Sequence, residues 1–398
     1  MNRVVESWIG GRMALIISSL FFTGFFYSCT SKKPINDQSV VMADTLVSDD
    51  EKIEVKYAKG FNVSYFPGYK ILSVIDPFVA SPDTIKYLLV NRGDPRPSGF
   101  ESSIVIETPI TKMIAMSSVH VGLLEFLESS DVLVGLENLN YIYSEAINNA
   151  YNAGKIVEVG RNMSPDYEKI IELQPDVVMG VGGVGPSQYH QLQAAGLPVL
   201  INSEWVETTP LAKAEWVKLM AVLFNKEKLV NDKFAKVENE YNRLKALAGQ
   251  PASKPKILTG INLKDVWYMP NGQNYMSVFL NDAGADYSLS NAKGSGSSAL
   301  SFEAIYPIAM EAVCWVNLGG VNLHTKKDLL SQDSRYGDFK AFKENSVYDY
   351  TNRINSSGAN DFWESAGVRP DLVLADLIKI LHPDLLPDHQ LYYYKQLL

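Results

Sequence analysis

The chain is poor in cysteine, in histidine and in positive charge, and each shortage removes a class of function. Its 398 residues hold two cysteines, Cys29 and Cys314, which excludes a disulfide-rich scaffold. Five histidines, at 120, 190, 324, 382 and 389, include no close pair on one helix face, so no dedicated zinc or manganese site is expected and no cofactor. Lys and Arg number 36 against 45 Asp and Glu, a net charge of −9. That balance argues against nucleic acid as the main partner, because phosphate binding needs a basic face. There is no Gly-x-Ser-x-Gly elbow, no His-Glu-x-x-His and no P-loop. The segment Gly294-Ser295-Gly296-Ser297-Ser298 lacks the following Lys and reads as a flexible loop. No short-period repeat is present, and no apolar run reaches the ~20 residues of a membrane-spanning helix.

What is present begins with Cys29. Arg3 and Arg12 precede an apolar run over residues 13–27, then Ser28, Cys29 and the polar stretch TSKKPIND. A basic start, a short apolar stretch and a small residue before cysteine resemble a bacterial lipoprotein signal peptide, with Phe26-Tyr27-Ser28-Cys29 as the lipobox. The resemblance implies cleavage before Cys29, a lipid on that residue and attachment to a membrane at the periplasm. Lys32 and Lys33 are not the acidic run of a surface-export tag. Residues 1–28 are then signal peptide and residues 29–50, polar and without periodicity, a flexible tether.

The remainder, with 46% hydrophobic and 11% aromatic residues over the whole chain, is long enough for two domains. Short alternating strands are expected at 62–65, 69–74, 85–90 and 103–107, joined by turns such as Phe66-Pro67-Gly68. From Lys112 strands and helices alternate: strands at 113–116, 132–136, 156–160, 177–181 and 198–202, and helices at 117–128, 164–173 and 188–195. Ser117 or Ser118 caps the first of these helices, and Pro165 falls in the first turn of the second. The rhythm implies a parallel sheet covered by helices. Residues 210–248 read as helical, and Val230, Phe234, Val237, Tyr241 and Leu244 make one apolar stripe. The rhythm then restarts, with strands at 256–261, 312–319 and 347–351 and helices at 276–283, 302–309, 338–342 and 369–381. The fold class is therefore α/β: an N-terminal lobe over 51–209, a linking helical region over 210–248 and a C-terminal lobe over 249–398.

The two halves echo each other. Asp166-Tyr167-Glu168-Lys169-Ile170-Ile171-Glu172-Leu173 leads into Gln174-Pro175-Asp176-Val177-Val178, and Ser301-Phe302-Glu303-Ala304-Ile305 leads into Ala312-Val313-Cys314-Trp315-Val316. With KMIAMSSVHVGLLEFL, VLVGL and AAGLPVLI, this resembles the iron-siderophore and cobalamin family of periplasmic substrate-binding proteins, the receptor subunits of type II ABC importers. The resemblance covers roughly residues 108–385. It implies two Rossmann-like lobes joined by one long rigid helix (the class III arrangement), ligand in the cleft between them and no enzymatic turnover. It also implies a glutamate on each lobe, here Glu168 and Glu303, that docks arginines of an ABC permease served by a cytoplasmic ATPase. A first-turn position on a helix would account for either glutamate without docking. The implied ligand is a metal chelate: a ferric siderophore, haem or a corrinoid such as cobalamin. A monomer is expected.

Loops at the carboxyl ends of parallel strands face the ligand crevice. They supply the aromatic candidates Tyr141, Trp267, Tyr268, Tyr275 and Trp363, whose rigid faces suit large planar ligands and equally suit lobe packing. Arg161 and Arg353 can pair with ligand carboxylates or an anionic chelate. Relatives that bind cobalamin carry a tryptophan near the position of Arg161, so this arginine favours a more anionic ligand. Asn360, Asp361 and Trp363 form a polar and aromatic cluster, part of which helix capping explains. His120, in the first turn of a helix opening on the crevice, can contact ligand or a haem or corrinoid metal, or hydrogen-bond locally. The competing enzyme reading is a chelatase-like protein on the same scaffold, which needs a clustered His and carboxylate set.

Overall fold

The structure is a computed structural model and describes residues 52–78, 83–161, 164–184, 188–319 and 323–398. The signal segment, Cys29 and the whole tether lie outside the described residues. The first element is a four-stranded sheet of β1 (Phe61–Phe66), β2 (Tyr69–Asp76), β3 (Asp83–Asn91) and β4 (Ile104–Thr108), in that order, with only the β3–β4 pair parallel. Alternation drives it: Phe61, Val63, Leu72, Val74, Tyr87 and Leu89 point into one core. Pro67 and Gly68 make the first hairpin turn, and Gly68 supplies the positive φ of +80° that its second corner requires.

The first lobe's main sheet follows. Its elements in chain order are β5 (Met113–Ala115), α1 (Ser118–Phe126), β6 (Leu133–Leu136), α2 (Glu145–Asn152), β7 (Val157–Glu158), β8 (Gly160–Arg161), β9 (Ser164–Pro165), α3 (Tyr167–Leu173), β10 (Val177–Val181), α4 (His190–Ala194) and β11 (Val199–Asn202). The parallel order is β11-β10-β5-β6-β7. Helices cover both faces, so strands such as VVMGV read as apolar runs rather than alternations. Ser117 caps α1, its hydroxyl accepting from the Val119 N–H. The helix expected from 164 starts later. Ser164 and Pro165 pair with Gly160 and Arg161 in a small hairpin, and the Asp166 carboxylate accepts from the Lys169 N–H at 3.2 Å, making Asp166 the cap.

The linking region is helical in three pieces: α5 (Pro210–Glu215), α6 (Val217–Val222) and α7 (Glu227–Ala248). Thr209 caps α5 with Pro210 in its first turn, and Asn225, at φ +54°, turns the chain before α7. The apolar stripe of α7 is buried along its length. Val230 and Phe234 sit in the first lobe's core with Trp216 and Leu219, whereas Tyr241, Leu244 and Ala248 sit in the second lobe's core with Ile257 and Phe279. One continuous helix is thus planted in both cores. A 22-residue helix with a buried stripe resists bending at any single point.

The second lobe contains β12 (Lys256–Thr259), β13 (Asn262–Leu263), β14 (Val266–Pro270), α8 (Tyr275–Asp282), β15 (Asp286–Tyr287), β16 (Ser297–Leu300), α9 (Phe302–Glu311), β17 (Cys314–Val316), α10 (Lys326–Gln332), α11 (Lys340–Lys343), β18 (Val347–Asp349), α12 (Asp361–Ser365), α13 (Pro370–Leu381) and β19 (Lys395–Gln396). The sheet order is β15-β12-β17-β18-β19, parallel except for β19. A smaller antiparallel sheet, β13-β14-β16, corrects the flexible-loop reading of the Gly/Ser segment: Ser297 and Ser298 pair with Pro270 and Met269. Only the residues before Ser297 remain loop. Cys314 is buried in β17, and burial pushes its thiol up to about 12, so it is inert packing.

Candidate functional site

The chain leaves β5 toward β6 and β7 on one side, while β10 and β11 lie on the other. The carboxyl ends of β5 and β10 therefore border a crevice, the place where open α/β sheets bind ligands. The loops that follow β5, β10 and β11 supply one wall: Ser117, His120, Val181, Glu204 and Trp205. The second lobe faces them with Asn274 and Tyr275 at the start of α8, Ser295 and Gly296 before β16, and Trp363 on α12. Lys213 of α5 lies where the walls meet. The cavity is about 590 Å³, within the range of small-molecule sites.

Local structure fixes these side chains. The Trp205 indole N–H donates to the Gly182 carbonyl at 3.2 Å, and its ring stacks on Phe78 at 5.1 Å. Gly182 lets Ser203 pack close, because a Cβ there would stand 2.0 Å from the Ser203 hydroxyl oxygen and force that side chain to turn. Trp363 meets Tyr350 and Phe362 edge-on, each at 5.3 Å, and still exposes half its surface. The Lys213 ammonium lies 4.9 Å from the Tyr275 ring centre, joining the two walls. His120 is 1% exposed, and burial pushes it down to about 3, so the imidazole is neutral. Its Nδ1 has no hydrogen-bond partner among the described residues. Glu204 is also buried, and burial raises its carboxyl above the usual range against the pull of Lys213, 3.7 Å away. Glu207, by contrast, accepts from the N–H groups of Lys59 and Gly60 and from the Trp216 indole.

A second cavity, of about 770 Å³, lies between the lobes and takes in Glu125, Tyr143, Ser144, Arg353, Asp361 and Tyr392. Close packing of α1 on α12 stands between the two spaces: a Cβ on Gly122 would sit 2.0 Å from the Glu364 carbonyl oxygen. The Glu364 carboxylate crosses to the first lobe and accepts from the Tyr143 and Ser144 N–H groups at 2.7 and 3.0 Å.

The residues singled out from sequence divide accordingly. His120, Tyr275 and Trp363 line the cleft. Arg353 and Asp361 line the second cavity, where Arg353 Nε donates to Asp361 at 2.5 Å and the guanidinium lies between the Tyr143 and Tyr392 rings. Asn360 is a cap, accepting from the Phe362 N–H and donating to the Tyr350 carbonyl. Trp267 is a core residue, 1% exposed, with its indole N–H on the Thr259 carbonyl at 2.8 Å. Its place in the aromatic core follows from the alternation of β14, which turns Trp267 inward and its neighbour Tyr268 outward. Tyr268 and Tyr141 are exposed and border neither cavity. Arg161 falls on β8, and its side chain is outside the described residues. Glu168 and Glu303 are both exposed, in the first turns of α3 and α9. The Glu303 carboxyl is held below the usual range by its own backbone N–H and the Ser301 hydroxyl, with a smaller contribution from Arg335.

Sequence reasoning missed Trp205, Glu204, Lys213, Ser295 and Gly296. Trp205 and Glu204 follow the strand at 199–202 directly, so the same rule that marked the other strand-end loops would have found them. Lys213 carried no such signal, because it sits on a linking helix.

A family model described as periplasmic binding protein matches residues 114–354. An uncharacterised lipoprotein of Methanocaldococcus jannaschii is 27% identical over 400 residues, covering 94% of this chain and 93% of its own. Among solved structures, the nickel–histidine complex of CeuE from Helicobacter pylori superposes with a TM-score of 0.55 at 18% identity, covering 80% of this chain and 90% of that chain. The periplasmic haem-binding protein HutB of Vibrio cholerae gives 0.52 at 15%, covering 66% and 98%. These structural likenesses establish the two-lobed fold.

Proposed function

The chain belongs to the periplasmic binding protein family, whose members bind solutes and are not enzymes, and from that premise we propose that its cleft captures a metal-chelate nutrient for an ABC importer. The observation that carries this reading is the cavity of about 590 Å³ with Trp205 on one wall and Tyr275 and Trp363 on the other. Rigid aromatic faces bind bulky, flat chelates with little entropy loss. The ligand is a ferric siderophore or haem, with cobalamin as the remaining member of the class. Neutral His120, with its free Nδ1, offers a donor to such a ligand.

Glu168 and Glu303 then dock the loaded protein on the permease, one from each lobe, and the cytoplasmic ATPase of that permease drives release. Cys29 carries the lipid that keeps the protein at the membrane. The naming of the archaeal relative as a lipoprotein supports this anchor, and no described helix is long and apolar enough to cross a membrane.

Absorption spectroscopy and mass spectrometry of protein purified from its native host test the reading. One chelate per protein, with a haem, corrinoid or ferric charge-transfer band, is the expected result. Turnover of a chelate without stoichiometric retention would replace the binding role with a chelatase. Glu168→Arg combined with Glu303→Arg abolishes uptake and leaves ligand affinity unchanged; equal loss of both removes the docking role.

A further inference from the structure

The charge in the cleft is arranged in a way that the binding role alone does not require. Lys213 is the one cationic side chain lining it among the described residues, and it faces Glu204 at 3.7 Å. Both side chains are mostly buried, 16% and 8% exposed. The contact is longer than a hydrogen bond. Lysine is also a point charge on a flexible four-carbon stem, free to swing without breaking a fixed fork. Three further buried polar atoms lack partners among the described residues: His120 Nδ1, on the cleft wall, and Asn202 Nδ2 and the Ser203 hydroxyl, on the segment leading into Glu204. Asn202 and Ser203 immediately precede Glu204, and the Asn202 side-chain Oδ1 already accepts from the Glu204 N–H at 2.9 Å. An unsatisfied buried group on the cleft wall, as His120 Nδ1 is, marks a place where a polar ligand group fits.

We propose that Glu204 and Lys213 form a proton-linked anion gate: an anionic ligand group, a carboxylate or a catecholate oxygen, takes Lys213 from Glu204, and Glu204 takes up one proton from solvent. This rests on the reading of the cleft as a solute site and specifies its chemistry. Once Lys213 turns to the ligand, no other side chain facing Glu204 compensates its charge, and only the backbone N–H groups of Glu204 and Trp205 still favour the carboxylate against its burial. His120, from α1, is neutral. Glu207 is acidic and its carboxylate is occupied by the Lys59, Gly60 and Trp216 N–H groups. Tyr275, from α8, carries no positive charge. An uncompensated buried carboxylate protonates rather than bear the cost of desolvation. The burial that already raises Glu204 is opposed by Lys213 alone among neighbouring side chains, so losing that opposition drives protonation. Binding of an anion is therefore accompanied by proton uptake, and affinity rises as pH falls. A ligand without an anionic arm leaves the pair closed and gains nothing from Lys213.

Calorimetry of the full-length protein in detergent, in two buffers of different ionisation heat near neutral pH, tests this with haemin, a ferric tris-catecholate and cyanocobalamin. The expected result is binding of haemin or the catecholate with net proton uptake. Glu204→Gln, which keeps the shape, binds the same probe without proton uptake. Lys213→Met weakens it by about tenfold or more, the loss of one charge-assisted contact. Proton uptake that persists in Glu204→Gln, or unchanged affinity in Lys213→Met, overturns the gate and leaves solute capture standing. Binding of cyanocobalamin alone does the same. Binding of none of the three probes overturns the gate and the metal-chelate reading together.

Discussion

Substituting Gly122 by alanine pits two effects of opposite sign against each other. In an open helix, alanine is more stable than glycine by about 0.5–1 kcal/mol, because glycine loses more backbone entropy on folding. Gly122 lies inside α1, so that gain is available. Against it, the new Cβ would stand 2.0 Å from the Glu364 carbonyl oxygen, 2.8 Å from its carbon and 3.2 Å from the Ser365 Cα. All three are backbone atoms of α12 or its flank and cannot rotate away. The helices must separate by about 1 Å or more, and overpacking of this kind costs about 1–3 kcal/mol. We expect the clash to win, for a net loss of about 1–2 kcal/mol and a fall in Tm of roughly 1–3 °C by differential scanning calorimetry. Gly249, which ends α7 at φ −77° with nothing nearer than 3.6 Å to its Cβ position, is the matched control. Gly249→Ala should show no fall. Because α12 carries Trp363, Gly122→Ala should also weaken ligand binding. A Gly122→Ala protein as stable as wild type or more so would refute the claim that α1 and α12 pack the lobes together at this point.

Three further expectations can be stated briefly. Glu364 is pushed up to about 8, first by burial and further by Glu125 and Asp361, while the Tyr143 and Ser144 N–H groups oppose the shift. A raised carboxyl stabilises the fold fully below its unfolded value and loses that contribution as pH rises through the folded one. Thermal stability should therefore fall as pH rises from about 4.5 to about 8 and level off above that, with Glu364→Gln flattening that limb of the Tm–pH curve. Glu215 is fully buried and accepts from the N–H groups of Lys56, Tyr57 and Ala58 while pairing with Lys218. Glu215→Leu should cost about 3 kcal/mol or more and expose residues 56–60 to rapid amide exchange; unchanged protection there would show that this clamp does not hold the start of the fold. Finally, Cys29→Ser should move the protein from the membrane fraction to the soluble fraction, read by fractionation and loss of the lipid mass. Retention at the membrane would mean that the N-terminal segment anchors without lipid.

Much of the architecture was legible before any coordinates. The apolar runs at 177–181 and 199–202, the Ser117 cap and the stripe Val230, Phe234, Val237, Tyr241 and Leu244 are local signals, and they sit in the elements expected. Glu168 and Glu303 lie in helix first turns, as expected. Where local signals competed, the reading slipped: Pro165 suggested a helix start, but the hairpin of β8 and β9 claimed it and left capping to Asp166.

The cleft itself is another matter. By itself the sequence determined the period of each element, and hence an α/β chain with paired lobes, because side-chain periodicity is imposed by neighbours a few residues apart. Tertiary structure alone decided which loop residues meet. It sent Trp267 inward and Tyr268 outward, spent Arg353 on Asp361 in a separate cavity, and brought Lys213 from a linking helix to face Glu204 and Tyr275. The cleft depends on strand order and on the approach of α1 to α12 at Gly122, a contact between residues more than two hundred positions apart, for which a linear pattern carries no local energy term.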